Sequence, residues 1–163
     1  MTEAPVIVWF RQDLRRADNP ALAAARETGR PVIPLFVLDD TTPGAWAWGG
    51  ASRWWLHHSL ASLGEDFRGT GCDLVLRRGR AAEIVPSLVE ETGASAVHWN
   101  RCYEPFAIER DRGIKAALNA AGVAVESFGG NLLFEPWTVK TGSGGPYKVF
   151  TPFYKTCLRA SPP

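Results

Sequence analysis

Five short apolar runs alternate along this chain with longer stretches in which apolar residues return every three or four positions. Val6-Ile7-Val8-Trp9-Phe10 is unbroken, β-branched and aromatic. That length and composition suit a strand buried on both faces. It breaks into Arg11-Gln12-Asp13-Leu14-Arg15-Arg16, which delivers charges at the strand's carboxyl end. Asp18-Asn19-Pro20 then announces a helix over 21–28, with Asn19 as its cap, Pro20 where no amide is needed, and Gly29 as its stop. Residues 32–38 read as a second strand. Pro34 removes a ladder donor there, which argues for an edge or a bulge.

After a loop at 39–50 the pattern predicts the longest helix, 51–67. Leu56, Leu60, Leu63 and Phe67 form its buried stripe and Ser52 its cap. Residues 72–76 predict a third strand that ends in Arg77-Arg78-Gly79-Arg80. The helical pattern of 81–92 contains Pro86, expected to kink it or confine its regular part to the residues after the proline, and Gly93 ends it. Residues 96–99 form a fourth strand with Asn100-Arg101-Cys102-Tyr103 as its exit. Pro105 opens a helix carried by Ile108, Ile114, Leu118 and Ala121 and stopped by Gly122. Residues 123–128 complete the set.

This alternation predicts an α/β fold, a parallel sheet covered on both faces and joined by right-handed crossovers. With strand order 3-2-1-4-5, the switch point lies between strands one and four and sets Phe10-Arg11 opposite Asn100-Arg101. The charged exits then share one sheet edge: Arg11, Asp13 and Arg15; Asp39-Asp40; Arg77-Arg78; Asn100 and Arg101. An anionic aromatic ligand would meet guanidinium donors and rings there. Asp13 and Glu104 equally suit a structural role, neutralising neighbouring arginines. Arg53, beside Trp54 and Trp55, suits contact with a ligand or a partner domain.

Composition narrows this picture without redirecting it. A 45% hydrophobic and 21% charged chain of 163 residues is ordinary globular material, and a net charge of +1 argues against wrapping nucleic acid by bulk electrostatics. No apolar run is long enough to span a bilayer and Thr2-Glu3-Ala4 lacks a signal peptide's basic start, so a cytoplasmic location is the default expectation. Nothing indicates an obligate oligomer. Cys72, Cys102 and Cys157 have no zinc-like spacing, and buried thiols are the plain reading. The common dinucleotide, P-loop, zinc-protease and nucleophile-elbow motifs are lacking. His57-His58 project about 100° apart on a helix, unsuited to one metal, and His98 is expected inside a strand. No metal site or catalytic residue is expected in this chain.

Beyond residue 130 the character changes. Leu132 to Trp137 is extended and apolar, 140–146 is a Gly-rich loop, and Tyr147, Phe150, Phe153 and Tyr154 crowd a segment that runs out at Ser161-Pro162-Pro163. We expect a unit at 1–130 followed by a connector at 131–163 leading to a further domain.

The fragments VWFRQDLR (8–15), DNPAL (18–22), SRWWLHHSL (52–60), NRCYEP (100–105), LLFEPW (132–137) and YKVFTPF (147–153), taken in order, resemble the amino-terminal domain of the DNA photolyase and cryptochrome family, most like a bacterial deoxyribodipyrimidine photolyase. The resemblance implies a Rossmann-like three-layer domain that holds an antenna chromophore. It also implies a separate helical domain carrying FAD, the damaged-DNA surface and the repair chemistry, in which light-excited reduced FAD splits cyclobutane pyrimidine dimers. An antenna ring in the cleft at the switch point is compatible, by position, with contacts from Phe10, Arg11, Arg53, Asn100, Arg101 and Glu104. The resemblance gives Asp13, Arg15 and Asn19 structural roles, and Tyr147, Phe150 and Phe153 interface roles. Folate-binding members carry a His and an Asn-Glu pair where this chain has Trp48 and Phe106-Ala107. A deazaflavin or flavin is therefore favoured over that folate, with an empty antenna site, or a folate bound differently in a groove beside the further domain, left open. A cryptochrome photoreceptor and a stand-alone nucleotide-binding module are the alternatives.

Overall fold

The computed structural model describes residues 3–160; Thr2 and the Ser161-Pro162-Pro163 terminus lie outside the described residues. Five strands, β1 (Val6–Phe10), β2 (Val32–Leu38), β3 (Val75–Arg78), β4 (Ala96–Asn100) and β5 (Ala124–Phe128), form one parallel sheet in the order β3-β2-β1-β4-β5. Between them run α1 (Pro20–Glu27), α2 (Gly50–Arg68), α3 (Ala81–Thr92) and α4 (Pro105–Ala120). The period-two geometry of β1 sorts its side chains cleanly. Ile7 and Trp9 join Val85 and Leu88 of α3 and Ile114 and Leu118 of α4, while Val6, Val8 and Phe10 join Ala21 and Leu22 of α1 and Leu63 and Phe67 of α2. The result is the Rossmann-like α/β/α sandwich, with its switch point between β1 and β4.

Local signals explain the helix ends. The Asn19 side chain accepts from Leu22 N at 3.1 Å, and Pro20 occupies the first turn. Gly93 caps α3 at φ 64°, a left-handed conformation that favours glycine. The cap of α2 is Gly49, not Ser52. The helix starts earlier than predicted, and a glycine cap offers no side-chain acceptor to mark it. Leu56, Leu63 and Phe67 are buried as the stripe requires, Leu60 only half. Likewise Ile108 is exposed, and Ala107 takes the buried place on α4.

The two prolines resolve differently. Pro34 pairs in register with Val8 of β1, but the ladder to β3 begins one residue later, at Leu35–Val75, so β2 is locally an edge there. Pro86 sits inside a helix that continues from Ala81 to Thr92, so helix is present on both sides of the proline and not only after it. β3 also departs from expectation. It comprises Val75–Arg78, so Arg77 and Arg78 lie within it and not beyond its end. An edge strand tolerates charges because half of its surroundings are solvent.

The chain divides at Gly130 into two compact units. In the second, α5 (Phe150–Arg159) is amphipathic, with Phe150 stacked on Tyr154 at 5.6 Å. Tyr147 meets Phe153 ring to ring at 6.3 Å, and its hydroxyl lies 2.9 Å from Thr156 Oγ1. Val149, Phe150, Phe153, Tyr154 and Leu158 are exposed. No helix among the described residues is long and apolar enough to cross a membrane.

Candidate functional site

The pairing of β1 with β4 ends at Val8–His98, and the chain beyond it turns to building a polar hub. Asn100 is fully buried. Its Nδ2 donates to Asp13 Oδ2 at 2.6 Å and Asn19 Oδ1 at 2.8 Å, and its Oδ1 accepts from Ala21 N at 3.1 Å. Asp13, also buried, accepts from Arg11 N at 2.8 Å through Oδ1 and from Asn19 Nδ2 at 3.2 Å through Oδ2. Arg15 holds Gly130 O at 2.7 Å and Asp18 O at 3.0 Å. One hub thus ties the β1 exit, the α1 cap, the β4 exit and the end of the first unit together.

Beside the hub opens a cleft enclosing about 570 Å³, part of it open to solvent, between the exits of β1 and β2 and the start of α4. Arg11, Gln12, Asp39, Trp48, Glu104, Phe106 and Arg110 line it, with Cys102 at its base. Arg11 is 7% exposed and donates to Asp111 Oδ2 at 2.9 Å and to the carbonyl of Asn100. Arg110 pairs with the same carboxylate at 2.8 Å. Both guanidiniums cover the Trp9 ring, at 4.5 and 4.8 Å from its centroid, and Trp9 meets Trp99 edge to face at 5.7 Å. The cleft floor is therefore a stack of cation on indole.

Three polar atoms of this floor and wall, Trp9 Nε1, Arg11 Nε and Glu104 Oε2, are buried with no hydrogen-bond partner among the described residues, a costly state inside a protein. The Glu104 carboxyl is held below its usual range. Burial opposes this, but the Gln12 amide at 2.6 Å, backbone amides at 103 and 104 and the Arg110 charge outweigh it. Burial is also the main cause that pushes the Cys102 thiol up, so it stays protonated and inert.

Asp39 closes the other wall. Its Oδ2 accepts from Ala81 N at 3.0 Å and Thr42 Oγ1 at 2.6 Å, capping α3 from a distant loop, and its Oδ1 takes the amides of Thr41 and Thr42. Burial alone would raise its pKa, but these bonds together lower it. Its stabilising contribution is thus complete above the unfolded value of 3.8 and is lost as pH falls through the lower folded value. Asp39→Asn is expected to cost about 1 kcal/mol at neutral pH. In urea melts the gap to the parent chain should close below pH 3.8.

Of the six residues expected in the cleft, Arg11 and Glu104 line it. Phe10 does not: its ring is fully buried against Phe67 at 5.6 Å, because residue 10 shares the face of Val6 and Val8. Asn100 is consumed by the hub. Arg101 turns to the β5 side, donating to Ser127 O at 2.6 Å. Arg53 binds Trp48 O at 2.8 Å and Asp40 Oδ1 at 2.9 Å, bracing the 39–50 loop. Arg77 pairs with Glu91 away from the cleft, and Arg78 pairs with Asp40, which lines the cleft although Arg78 does not. His98 is buried against Phe128, and its Nδ1 lacks a partner among the described residues. Arg110 and Asp111 join the site unannounced by any motif, although a signal exists: Ala107, Asp111, Ile114 and Leu118 fall on one helical stripe, and a charge on an apolar stripe implies a buried partner. Among the described residues no group of three or more His, Cys, Asp or Glu could hold a metal ion.

Comparison with known proteins agrees with this architecture. The family model described as DNA photolyase matches residues 6–163. A deoxyribodipyrimidine photo-lyase of Agrobacterium fabrum is 50% identical over 93% of this chain and 31% of its own length. Cryptochrome-1 of Arabidopsis thaliana is 46% identical over 93% of this chain and 22% of its own. Among solved structures, a bacterial class III photolyase from Agrobacterium tumefaciens superposes with a TM-score of 0.90 at 48% identity, covering 99% of this chain and 33% of that one. An archaeal photolyase from Sulfolobus tokodaii, solved with two FAD molecules, gives 0.80 at 25% identity over 98% and 36%. The chain thus spans about a third or less of the length of these four relatives. The family model's match over residues 6–163 and the superposition of the chain's five-stranded sheet together make it a member of the DNA photolyase family.

Proposed function

We propose that this chain is the antenna-bearing portion of a light-driven DNA repair enzyme, and that the cleft beside Arg11 and Glu104 holds a planar nitrogen heterocycle. The observation that carries this reading is that two buried atoms without a partner among the described residues, the donor Arg11 Nε and the acceptor Glu104 Oε2, belong to residues lining a cleft at the carboxyl edge of the sheet. The edge of a flavin, deazaflavin or pterin ring carries both kinds of complement. Trp48 and Phe106 would hold the ring faces, Glu104 would accept from a ring N–H, and Arg11 would donate to a ring oxygen or nitrogen. Such a group, when bound, absorbs near-ultraviolet or blue light and passes the excitation on. The protein's part is to fix the ring and exclude water, with Gln12 and Arg110 keeping Glu104 ionised. The Sulfolobus tokodaii relative, solved with two FAD molecules, supports a flavin in this class of domain.

The repair chemistry, FAD and contact with damaged DNA are proposed for the part of the relatives that this chain does not span. The segment beyond Gly130 is proposed as the connector to it, with Tyr147, Phe150 and Phe153 as packing groups. The 46% identity to Cryptochrome-1 supports a second reading, a blue-light receptor with the same antenna-side domain. Light-dependent dimer repair by the full-length parent separates the two.

The cleft is tested by titrating the chain with riboflavin 5′-phosphate, with a deazaflavin and with a methenyl folate, following ligand fluorescence. One of them is expected to saturate, and Trp48→Ala and Glu104→Gln are each expected to weaken it about tenfold. Saturation indifferent to both substitutions, or none with any ligand, would overturn the assignment.

A further inference from the structure

The cleft beside Arg11 and Glu104 does not end at Trp48. Arg11, Gln12 and Trp48 also line a wider basin of about 1280 Å³, much of it open to solvent, which Arg15, Ala51 and Ser52 line as well. The two spaces differ in charge. In the cleft Asp39, Asp40 and Glu104 present carboxylates, and the guanidiniums of Arg11 and Arg110 are both engaged by Asp111, at 2.9 and 2.8 Å. In the basin the charged lining is Arg11, Arg15 and Asp13, and the Asp13 oxygens are already taken by Arg11 N, Asn19 and Asn100. Asp18, fully in solvent, approaches Arg15 only to 3.9 Å. The first turn of α2 adds its backbone. Its cap, Gly49, has no side chain to close that turn, and no acidic residue stands in it. The first bond of the helix runs from Arg53 N to Gly49 O at 3.0 Å, so the amides of Gly50, Ala51 and Ser52 have no acceptor within the helix. Such a helix end attracts an oxyanion. Arg11 is the independent sign of a ligand. It is nine-tenths buried, lines both spaces, and its Nε has no partner among the described residues.

We infer that the ring held in the cleft carries an acidic tail, and that the tail's phosphate or carboxylate is received at the start of α2. This rests on the ring assignment made above and extends it to the rest of the ligand. The carboxylates of the cleft repel an anion, so the tail turns past Trp48 into the basin. There the free amides of the first turn and the Ser52 hydroxyl donate to it, and Arg11 and Arg15 supply the countercharge. A ring of the same kind without an acidic tail leaves the helix end to water and forgoes this contribution. The site therefore selects among chromophores by the tail as well as by the ring.

Fluorescence titration of the chain at low salt, with each ring offered with and without its acidic tail, is the test. The pairs are riboflavin 5′-phosphate against riboflavin, a deazaflavin riboside 5′-phosphate against the riboside, and a methenyl folate against its diamide. In the pair that saturates most tightly, the acidic member is expected to bind at least about tenfold better, and this ratio is expected to shrink as salt rises. Ser52→Asp places a carboxylate where the anion would sit. Position 52 is exposed, and an acid in the first turn suits the helix itself, so the fold is kept. Circular dichroism melts verify this. The variant is expected to bring the ratio of the two affinities close to one. Equal affinities in the parent chain, or a ratio indifferent to Ser52→Asp, would overturn the tail site and leave the ring assignment standing. No saturation by either member of any pair would overturn both.

Discussion

Asp13→Ala is expected to remove about 3–5 kcal/mol of stability from the first unit. The expected loss is large because the side chain is 2% exposed and its two oxygens serve three donors: Arg11 N, Asn100 Nδ2 and Asn19 Nδ2. Alanine supplies no acceptor, and a buried donor left without one costs about 1–3 kcal/mol. The loss is comparable with much of the roughly 5–15 kcal/mol that holds a domain together. Urea unfolding followed by circular dichroism measures it. Asp13→Asn should fall between, because it keeps one acceptor and turns a second amide toward Asn100. A loss below about 1 kcal/mol for the alanine variant would mean that water replaces the carboxylate and that the hub carries little energy.

Gly130→Ala is the second large effect expected, and it reaches the same hub from outside. A Cβ at this position would lie 2.7 Å from Asn100 Cγ and 3.0 Å from its Oδ1, closer than atoms tolerate. Asn100 cannot retreat without breaking its bonds to Asp13, Asn19 and Ala21. The glycine backbone is itself tied by Arg15 at 2.7 Å. A cost of about 2–3 kcal/mol follows, as for other overpacked sites. The mechanism has its own check. In an Asn100→Ala background most of the Gly130→Ala cost should vanish, since Cγ and Oδ1, the two nearest atoms, are gone and only Cβ at 3.1 Å remains. Equal costs in both backgrounds would assign the effect to the backbone at Gly130 instead of the contact.

How much of the site is legible in the sequence depends on the distance over which each residue finds its partners. Asn19 and Pro20 are legible because a helix cap is a local device, complete within four residues. Arg11 and Glu104 are legible as exits from strands that a parallel sheet must bring to one edge. Phe10 is easily misplaced because an unbroken apolar run hides the parity of its positions, and the last residue of β1 happens to face α2. Asn100 reads as a ligand contact because its partners, Asp13 and Asn19, lie 87 and 81 residues away along the chain. The β3 boundary slips for a related reason: hydrophobicity marks what the core sees, and an edge strand can bear arginines within its span.

From the chain alone come the α/β class, the parallel sheet and, once the order 3-2-1-4-5 is assumed, the edge where charges gather, because alternation of buried strands and amphipathic helices is written locally in period two and period 3.6. Tertiary structure alone decides which of those gathered charges satisfy one another and which are left facing a cleft. Hydrogen bonds and ion pairs depend on ångström-scale distances between residues far apart in sequence, and no local period encodes those distances.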